Sequence, residues 1–224
     1  MSVTSVLAVA DALVNFAMRP RGTMVAMPGP ETDPRLDPEL VEHGDTRNVV
    51  DEFRGWTVDA IVGELDERSA ALRESTGREL QIAIENWGHD FNIGSVVRTA
   101  NAFGVRRVHI VGRRRWNRRG AMVTDRYLHV QHHDDVAALA GYAAEAGLTV
   151  VGIDNVPGSE PMEGWQPPAR ALLVFGEESS GLSGEARAAS STIRHITQHG
   201  STRSINAGAA AAIAMFHWRS FASA

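Results

Sequence analysis

From about residue 80 onward, apolar runs of strand length alternate with segments of helical spacing, and this alternation restricts the fold more than any other feature. The runs are LQIAIENW (80–87), RRVHIVG (106–112), LTVVGIDN (148–155), ARALLVFG (169–176) and STIRHIT (191–197). The runs at 148–155 and 169–176 are continuously apolar, which is typical of parallel strands buried on both faces. The pattern predicts an α/β fold, with a mostly parallel sheet and helices on both faces.

The segments between these runs carry helix signals. NIGSVVRTANAFG (92–104) repeats apolar side chains at helical spacing. DDVAALAGYAAEAG (134–147) has Asp134 as its expected N-cap and Gly147 as its stop, and Ser183 is the expected cap of a further helix. The alanine-rich segment SINAGAAAAIAMFHWRSFA (204–222) is predicted to close the chain as a helix.

The chain before this alternation has a different character. Residues 1–22 have the pattern of an amphipathic helix and no basic region before it, which argues against a signal peptide. Residues 27–38 (MPGPETDPRLDP) are proline-rich and predict a connector, and residues 56–75 return to helical spacing. We therefore expect residues 1–75 to form an acidic, largely helical N-terminal extension and residues 76–224 to form the main domain.

Charge is distributed unevenly along the chain. The 224 residues have a formal charge of -5. Residues 31–90 contain 16 acidic and 6 basic side chains, a balance of -10, whereas residues 91–130 contain 9 arginines and one aspartate, a balance of +8. A concentrated positive surface is typical of nucleic-acid binding. Part of the acidic extension could also fold back onto these arginines.

Composition excludes several kinds of chemistry. Cysteine is absent, which excludes disulfides, thiolate nucleophiles and cysteine-based zinc sites. Lysine is absent too, so all 22 basic residues are arginine and neither a lysine Schiff base nor a P-loop lysine is available. No apolar run reaches the roughly 18 residues needed to span a bilayer. We expect a cytoplasmic protein without a membrane partner.

Three segments carry residues suited to chemistry. In NWGHDFNIGSVVRTANAFG, Asn92 and Arg98 flank a strand-to-helix junction that lacks the G-x-G-x-x-G pattern of dinucleotide-binding folds. In LLVFGEESSGLS (172–183), a strand runs into a glycine-containing turn with Glu177 and Glu178, which would repel a triphosphate. In HITQHGSTRSINAGAAAAIAMFHW, Ser204 and Asn206 precede the alanine-rich helix. Each segment alone is compatible with a capped helix or an ordinary turn.

Taken together and in this order, the segments resemble the three motifs of the SpoU (TrmH-like) family of RNA ribose 2′-O-methyltransferases, within the SPOUT class. The first motif matches at Asn92, Gly94, Arg98 and the TANAFG tail, and the second at Gly176, Glu178, Gly181 and Leu182. The third matches at Ile196, Gly200, Ser204, Asn206 and the helix of small residues. The resemblance covers roughly residues 80–222. The chain has Thr197 where the family commonly has proline.

The resemblance implies a fold, a cofactor and an assembly. It implies a deep trefoil knot in the C-terminal part of the domain, which normal chain topology would not suggest. It also implies binding of S-adenosyl-L-methionine by the loops around Gly176, Ile196 and Ile205. Ile153 and Asn155 at the end of a neighbouring strand are expected to line the same pocket. Members of the family act as homodimers, and the alanine-rich helix would suit close packing between subunits.

The resemblance also implies the reaction, which is transfer of a methyl group to a ribose 2′-hydroxyl of tRNA or rRNA. Its expected catalytic residues are Arg98, Asn92, Glu178, Ser204 and Asn206. Because an arginine pKa lies above about 12, Arg98 is better suited to hold a phosphate and stabilise a developing alkoxide than to act as a base. Glu177 is expected to be a solvated neighbour of Glu178.

The arginine-rich segment at 113–119 is the expected RNA contact, through Arg113, Arg114, Arg115, Arg118 and Arg119. Trp116 or Tyr127 could stack on an exposed base. A solvated arginine loop is the simpler interpretation. His129, His132 and His133 lack an accompanying carboxylate pattern, so we expect no metal site. Two alternatives remain open: a catalytically inactive RNA-binding protein of the same fold, and a methyltransferase acting on a base or a small molecule.

Overall fold

The computed structural model of the chain describes residues 33–88, 92–202 and 204–221. The predicted amphipathic helix at residues 1–22 lies outside the described residues, as does the first half of the proline-rich connector. The chain divides into two compact units, with the boundary between Ile61 and Val62. The predicted division at residue 75 stays a prediction.

The described part of the first unit is small and combines polar contacts with an edge-on contact between Phe53 and Trp56. Helix α1 (Pro38–His43) is capped by Asp37, whose side chain accepts a hydrogen bond from the Glu39 amide. A 3-10 turn follows at Asp51–Phe53. The Asp45 carboxylate binds the Arg47 guanidinium at 2.7 Å and the Gly55 amide at 2.9 Å. Helix α2 (Val58–Thr76) begins in this unit and continues into the second.

The second unit contains a seven-stranded sheet in which every pairing is parallel. Its strands are β1 (Glu79–Asn86), β2 (Arg107–Gly112), β3 (His129–His133), β4 (Thr149–Ile153), β5 (Glu160–Pro161), β6 (Arg170–Phe175) and β7 (Thr192–His195). Their order across the sheet is β3-β2-β1-β6-β4-β7-β5. The helices are α3 (Ile93–Ala102), α4 (Val136–Glu145), α5 (Gly184–Ala189) and α6 (Ala207–Ser220). Two further 3-10 turns lie at Arg119–Ala121 and Thr124–Tyr127.

Two hydrophobic clusters cover the two faces of the sheet. Because successive side chains of a strand point to opposite faces, Ile82 and Ile84 join one cluster and Ala83 joins the other. Helices α3 and α6 supply the first cluster, with Trp218 of α6 only 1% exposed. Helices α4 and α5 supply the second. The predicted α/β class with a parallel sheet is confirmed.

Several local predictions need correction. The strands β3 and β5 were not predicted, because β3 (HVQHH) is polar and pairs only with β2 at one edge, while β5 has only two residues. The N-cap of α4 is Asp135 rather than Asp134, since the Asp135 carboxylate accepts from the Ala138 amide at 2.8 Å. The Gly147 stop and the Ser183 cap are confirmed. Within the described residues, no helix is long and apolar enough to cross a membrane.

Candidate active site

The carboxyl ends of β4, β6 and β7 lie side by side in the sheet, and a pocket opens there. This edge of a parallel sheet is where α/β proteins generally bind ligands. The pocket has a volume of about 480 Å³. Its lining includes all five residues predicted to bind the cofactor: Ile153, Asn155, Gly176, Ile196 and Ile205. Glu178 and Ser204, predicted to be catalytic, also line it.

The wall formed by residues 176–182 is a loop that closes on itself. The Gly181 amide donates to the Glu177 carbonyl oxygen at 2.8 Å, and Gly181 has a φ of +67°. A Cβ at Gly176 would overlap the Gly181 backbone, so only glycine fits. The Asp154 carboxylate accepts from the Leu182 amide at 2.8 Å and fastens the loop to the end of β4. The glycines thus allow the loop to fold tightly.

Three predicted catalytic side chains meet beside this wall. The Asn92 Nδ2 donates to Glu178 Oε2, and the Asn206 Nδ2 donates to Asn92 Oδ1 at 2.8 Å. The Asn206 Nδ2 also lies 3.2 Å from Glu178 Oε1. Residues from three separate motifs therefore form one hydrogen-bonded triangle. We call it the Asn–Glu–Asn triangle.

The two asparagines enter the triangle in different ways. Asn92 precedes α3 but is itself in a helical conformation, with φ -83° and ψ -18°, and its side chain makes no capping hydrogen bond. Asn92 therefore occupies the position before α3 without capping the helix through its side chain. Asn206 does cap its helix, since its Oδ1 accepts from the amides of Gly208 (2.9 Å) and Ala209 (3.2 Å). Its Nδ2 remains available for the triangle.

Arg98 and Ser204 stand apart from this cluster. Arg98 is exposed on α3, about 9 Å along the helix axis from Asn92 at 1.5 Å per residue. Its side chain has no hydrogen bond or ion pair within the described residues. Ser204 is exposed at the pocket lining, before α6 begins. Arg98 is thus the one predicted catalytic residue that the structure places neither in the triangle nor at the pocket.

Sequence reasoning missed three acidic residues that build the site. Glu177 is half-buried and accepts from the Gly88 amide, so its assignment as a solvated neighbour is wrong. Glu85 is fully buried on β1 and accepts from the Ser183 amide at 2.8 Å. Asp154 lies between Ile153 and Asn155 and lines the pocket with them, although only these two neighbours were predicted to do so. A carboxylate at the end of an apolar strand is the signal that could have identified Glu85 and Asp154.

The arginine segment is anchored while most of its side chains project outward. The Asn86 Nδ2 donates to the carbonyl oxygens of Arg113 (2.6 Å) and Arg115 (3.0 Å). All five predicted RNA contacts are exposed: Arg113, Arg114, Arg115, Arg118 and Arg119. The side chains of Arg114, Arg115 and Arg119 have no ion pair or hydrogen bond within the described residues. Arg118 faces Asp125 at 3.5 Å, which partly neutralises it.

The other predictions for this region have different outcomes. Tyr127 is 7% exposed and cannot stack on a base, whereas Trp116 is half-buried with the Arg118 guanidinium 5.4 Å from its ring centroid. Among the described residues, no group of histidine and acidic side chains could hold a metal ion. Asp66 of α2 pairs with Arg106 at 2.8 Å, so one acidic side chain does fold onto the arginine-rich part of the chain.

The parallel α/β sheet has its pocket at the carboxyl edge, where such folds generally bind ligands, and the Asn–Glu–Asn triangle stands beside it. A family model described as the SpoU rRNA methylase family matches residues 79–216. The chain belongs to this family. No curated protein matches the chain.

Several solved structures share the fold. A TrmH/SpoU tRNA modifying enzyme from A. aeolicus aligns with a TM-score of 0.58 and 21% identity, over 70% of this chain and 84% of that one. An AdoMet-bound rRNA methyltransferase from Sinorhizobium meliloti aligns with a TM-score of 0.57 and 23% identity, over 66% of this chain and 59% of that one. A TrmH-family protein from Porphyromonas gingivalis aligns with a TM-score of 0.54 and 22% identity, over 63% of this chain and 59% of that one. The match thus spans 59% of the length of the latter two proteins.

Proposed function

We propose that this protein transfers a methyl group from S-adenosyl-L-methionine to a ribose 2′-hydroxyl of tRNA or rRNA. The observation that carries the proposal is the Asn–Glu–Asn triangle, because Glu178 belongs both to the triangle and to the lining of the pocket. Side chains that would orient a substrate therefore stand next to a cavity large enough for a cofactor.

The pocket suits this methyl donor. Its volume of about 480 Å³ lies within the range of small-molecule sites. Ile153, Ile196 and Ile205 provide apolar surface for an adenine ring. Asp154, Glu177 and Glu178 give the pocket a negative charge that complements a sulfonium. When bound, the cofactor supplies an electrophilic methyl group.

The protein's own residues would align and activate the hydroxyl. The transfer would replace the bond between sulfur and the methyl carbon by a bond between that carbon and the ribose oxygen, with S-adenosyl-L-homocysteine as the leaving group and water as the acceptor of the hydroxyl proton. The triangle holds Asn92 and Asn206 in fixed orientations beside Glu178, so no reorganisation is needed when a substrate arrives. Arg98 is exposed on the adjoining helix, where it can hold a substrate phosphate. Ser204 would contact the ribose or the cofactor.

RNA would bind across the arginine segment. Arg114, Arg115 and Arg119 offer three exposed guanidinium groups without partners in the described chain. Neutralising phosphates with such groups releases counterions, so binding should weaken steeply with salt. In Arg113→Ala with Arg114→Ala, both RNA affinity and its salt dependence should fall. Binding of wild type that does not change with salt would contradict this part of the proposal.

We also propose a homodimer, a trefoil knot and a cytoplasmic location. The dimer is supported by exposed apolar side chains on one face of α6, Ile213 (42% exposed) and Phe216 (63% exposed). The knot is supported by family membership and by the insertion of β6 between β1 and β4. A stable monomer at micromolar concentration in a size measurement would contradict the dimer.

The proposed activity is tested by calorimetry with S-adenosyl-L-methionine and by transfer of tritiated methyl groups to RNA from cells that lack the gene. Wild type should bind the cofactor and label ribose 2′-oxygens. Arg98→Ala should bind the cofactor normally and transfer almost nothing. Cofactor binding without any transfer by wild type would favour an inactive RNA-binding protein, and label on a base or a small molecule would favour the other alternative.

A further inference from the structure

Trp87 is an aromatic side chain that the proposed reaction leaves unassigned. It follows directly after β1, at the carboxyl edge of the sheet where the pocket opens. The side chain is 39% exposed, whereas Trp218 in the core is 1% exposed. A single exposed aromatic side chain is ordinary on a protein surface and Trp87 does not itself line the pocket, so its contacts decide whether it has a role.

The indole ring is held by a hydrogen bond and by close packing against Gly112. Its Nε1 donates to Glu85 Oε1 at 2.9 Å, and Glu85 itself is 0% exposed. The other Glu85 oxygen accepts from the Ser183 amide at 2.8 Å, so one buried carboxylate ties the ring to the end of the pocket loop. The ring lies against Gly112, where an added Cβ would stand 2.6 Å from Cε3 and 2.7 Å from Cζ3. Two independent contacts therefore fix the orientation of the exposed surface.

The residue next to Trp87 connects it to the pocket and to the arginine segment. The Gly88 amide donates to the Glu177 carboxylate, which lines the pocket. The Gly88 carbonyl oxygen accepts from Arg113 Nη1 at 3.2 Å. The segment that carries Trp87 thus contacts, through Gly88, both the pocket wall and an exposed arginine. An aromatic face beside a guanidinium complements a nucleobase attached to a phosphate.

We propose that Trp87 is the platform on which an unpaired base of the RNA substrate stacks, at or next to the methylated nucleotide. Arg113 holds an adjoining phosphate. Stacking on an aromatic side chain is tolerant of sequence. Trp87 therefore contributes affinity and selects single-stranded over paired RNA, without reading base identity. This inference rests on the proposed function of the same site.

The test compares Trp87→Phe with Trp87→Leu. Both variants lose the hydrogen bond to Glu85, but only phenylalanine keeps an aromatic face, so their difference isolates stacking. The KM for RNA should stay within about threefold of wild type in Trp87→Phe and rise about 5- to 150-fold in Trp87→Leu. Cofactor affinity measured by calorimetry should be the same in both. Equal KM values for the two variants, with cofactor binding intact, would overturn the inference.

A second readout does not depend on methyl transfer. A single-stranded oligoribonucleotide containing 2-aminopurine should lose fluorescence on binding to wild type and to Trp87→Phe, because a stacked 2-aminopurine is quenched. Trp87→Leu should quench it much less, and annealing the complementary strand should weaken the effect in wild type. Quenching without any methyl transfer would reject the proposed reaction but would still support base stacking on Trp87. Equal quenching by wild type and Trp87→Leu would reject the platform.

Discussion

Asn206 uses both ends of one amide for different purposes. Its oxygen caps α6 by accepting from Gly208 and Ala209, and its nitrogen donates into the Asn–Glu–Asn triangle. Stability and proposed activity therefore depend on separate atoms of the same side chain. Two substitutions can separate them.

Asn206→Asp should keep the fold and lose the activity. The carboxylate can still accept from the helix amides, but it can no longer donate and it brings a second negative charge next to Glu178. We expect stability to urea close to that of wild type and methyl transfer reduced at least about tenfold, as for a lost hydrogen bond to a charged group. Asn206→Ala should in addition lose about 1 kcal/mol of stability, because the cap is gone. Full turnover by Asn206→Asp would show that the triangle is not required.

At the residue scale, the sequence predicts which side chains matter better than it predicts what they contact. Asn92, Glu178 and Asn206 were singled out by motif, and the structure brings them together. The Asn92 side chain bonds to Glu178 and Asn206 rather than to the amides of its own helix, and no local pattern specifies these contacts. The contact between Glu177 and Gly88 joins residues 89 positions apart, and no local pattern specifies it.

At the element scale, two glycines fix the arginine segment against the helix that carries Asn92 and Arg98. A Cβ at Gly94 of α3 would stand 2.7 Å from the Ala121 amide nitrogen and 2.8 Å from the Gly120 Cα. The 3-10 turn Arg119–Ala121 therefore packs backbone to backbone on α3. This contact couples the position of the arginines to the position of the proposed catalytic helix.

Gly94→Ala should disturb both elements, since the neighbouring atoms are backbone and cannot rotate away. We expect a loss of stability of about 1–3 kcal/mol, despite the better helix propensity of alanine. RNA affinity should fall while cofactor binding persists. Gly141→Ala is the matched control, because Gly141 is exposed in α4 and has open space around its Cβ position. It should gain about 0.5–1 kcal/mol; an equal gain in Gly94→Ala would refute the packing argument.

Element prediction succeeded where the chain is buried on both faces. Continuous apolar sequence marks a central parallel strand, as at β4 and β6, and the largely apolar β1 and β2 were predicted with them, whereas β7 (TIRH) was predicted although it is half-buried and largely polar. β3 and β5 were not predicted, because edge strands need only one partner strand and little apolar surface. The strand order could not be read from periodicity, because β6 inserts between β1 and β4 through contacts distant in sequence.

At the scale of the whole molecule, charge is partly neutralised within one unit. Asp66, from the acidic part of the chain, binds Arg106 and lies 2.8 Å from His129 Nε2. Within the part of the chain that the structure describes, the arginines at 113–119 have no acidic partner apart from the contact of Arg118 with Asp125. An acidic protein therefore presents a local positive surface, as the asymmetry of the sequence predicted.

A buried polar chain crosses three strands of the sheet and sets how the fold responds to acid. Gln81 Oε1 accepts from Tyr142 and lies 2.8 Å from His109 Nε2, so that nitrogen carries the proton. His109 Nδ1 must then accept from His133 Nε2 at 2.9 Å. Protonating His109 would set two N–H groups against each other. Burial, followed by the charges of His133 and Arg107, lowers the pKa of His109 to about 3.

Acid should therefore destabilise the folded protein before the carboxylates titrate. Below pH 6.5 the unfolded chain binds a proton at His109, whereas the folded chain binds it only near pH 3. The free energy of unfolding therefore falls as the pH falls from 6.5 toward 3. Between pH 7.5 and pH 5, this histidine should account for about 2 kcal/mol of lost stability. Urea unfolding at the two pH values measures the loss. His109→Gln should be less stable at pH 7.5 but lose about 2 kcal/mol less on acidification, whereas His199→Gln, at an exposed position, should keep the wild-type acid dependence. An undiminished acid loss in His109→Gln would show that the sensitivity originates elsewhere in the molecule.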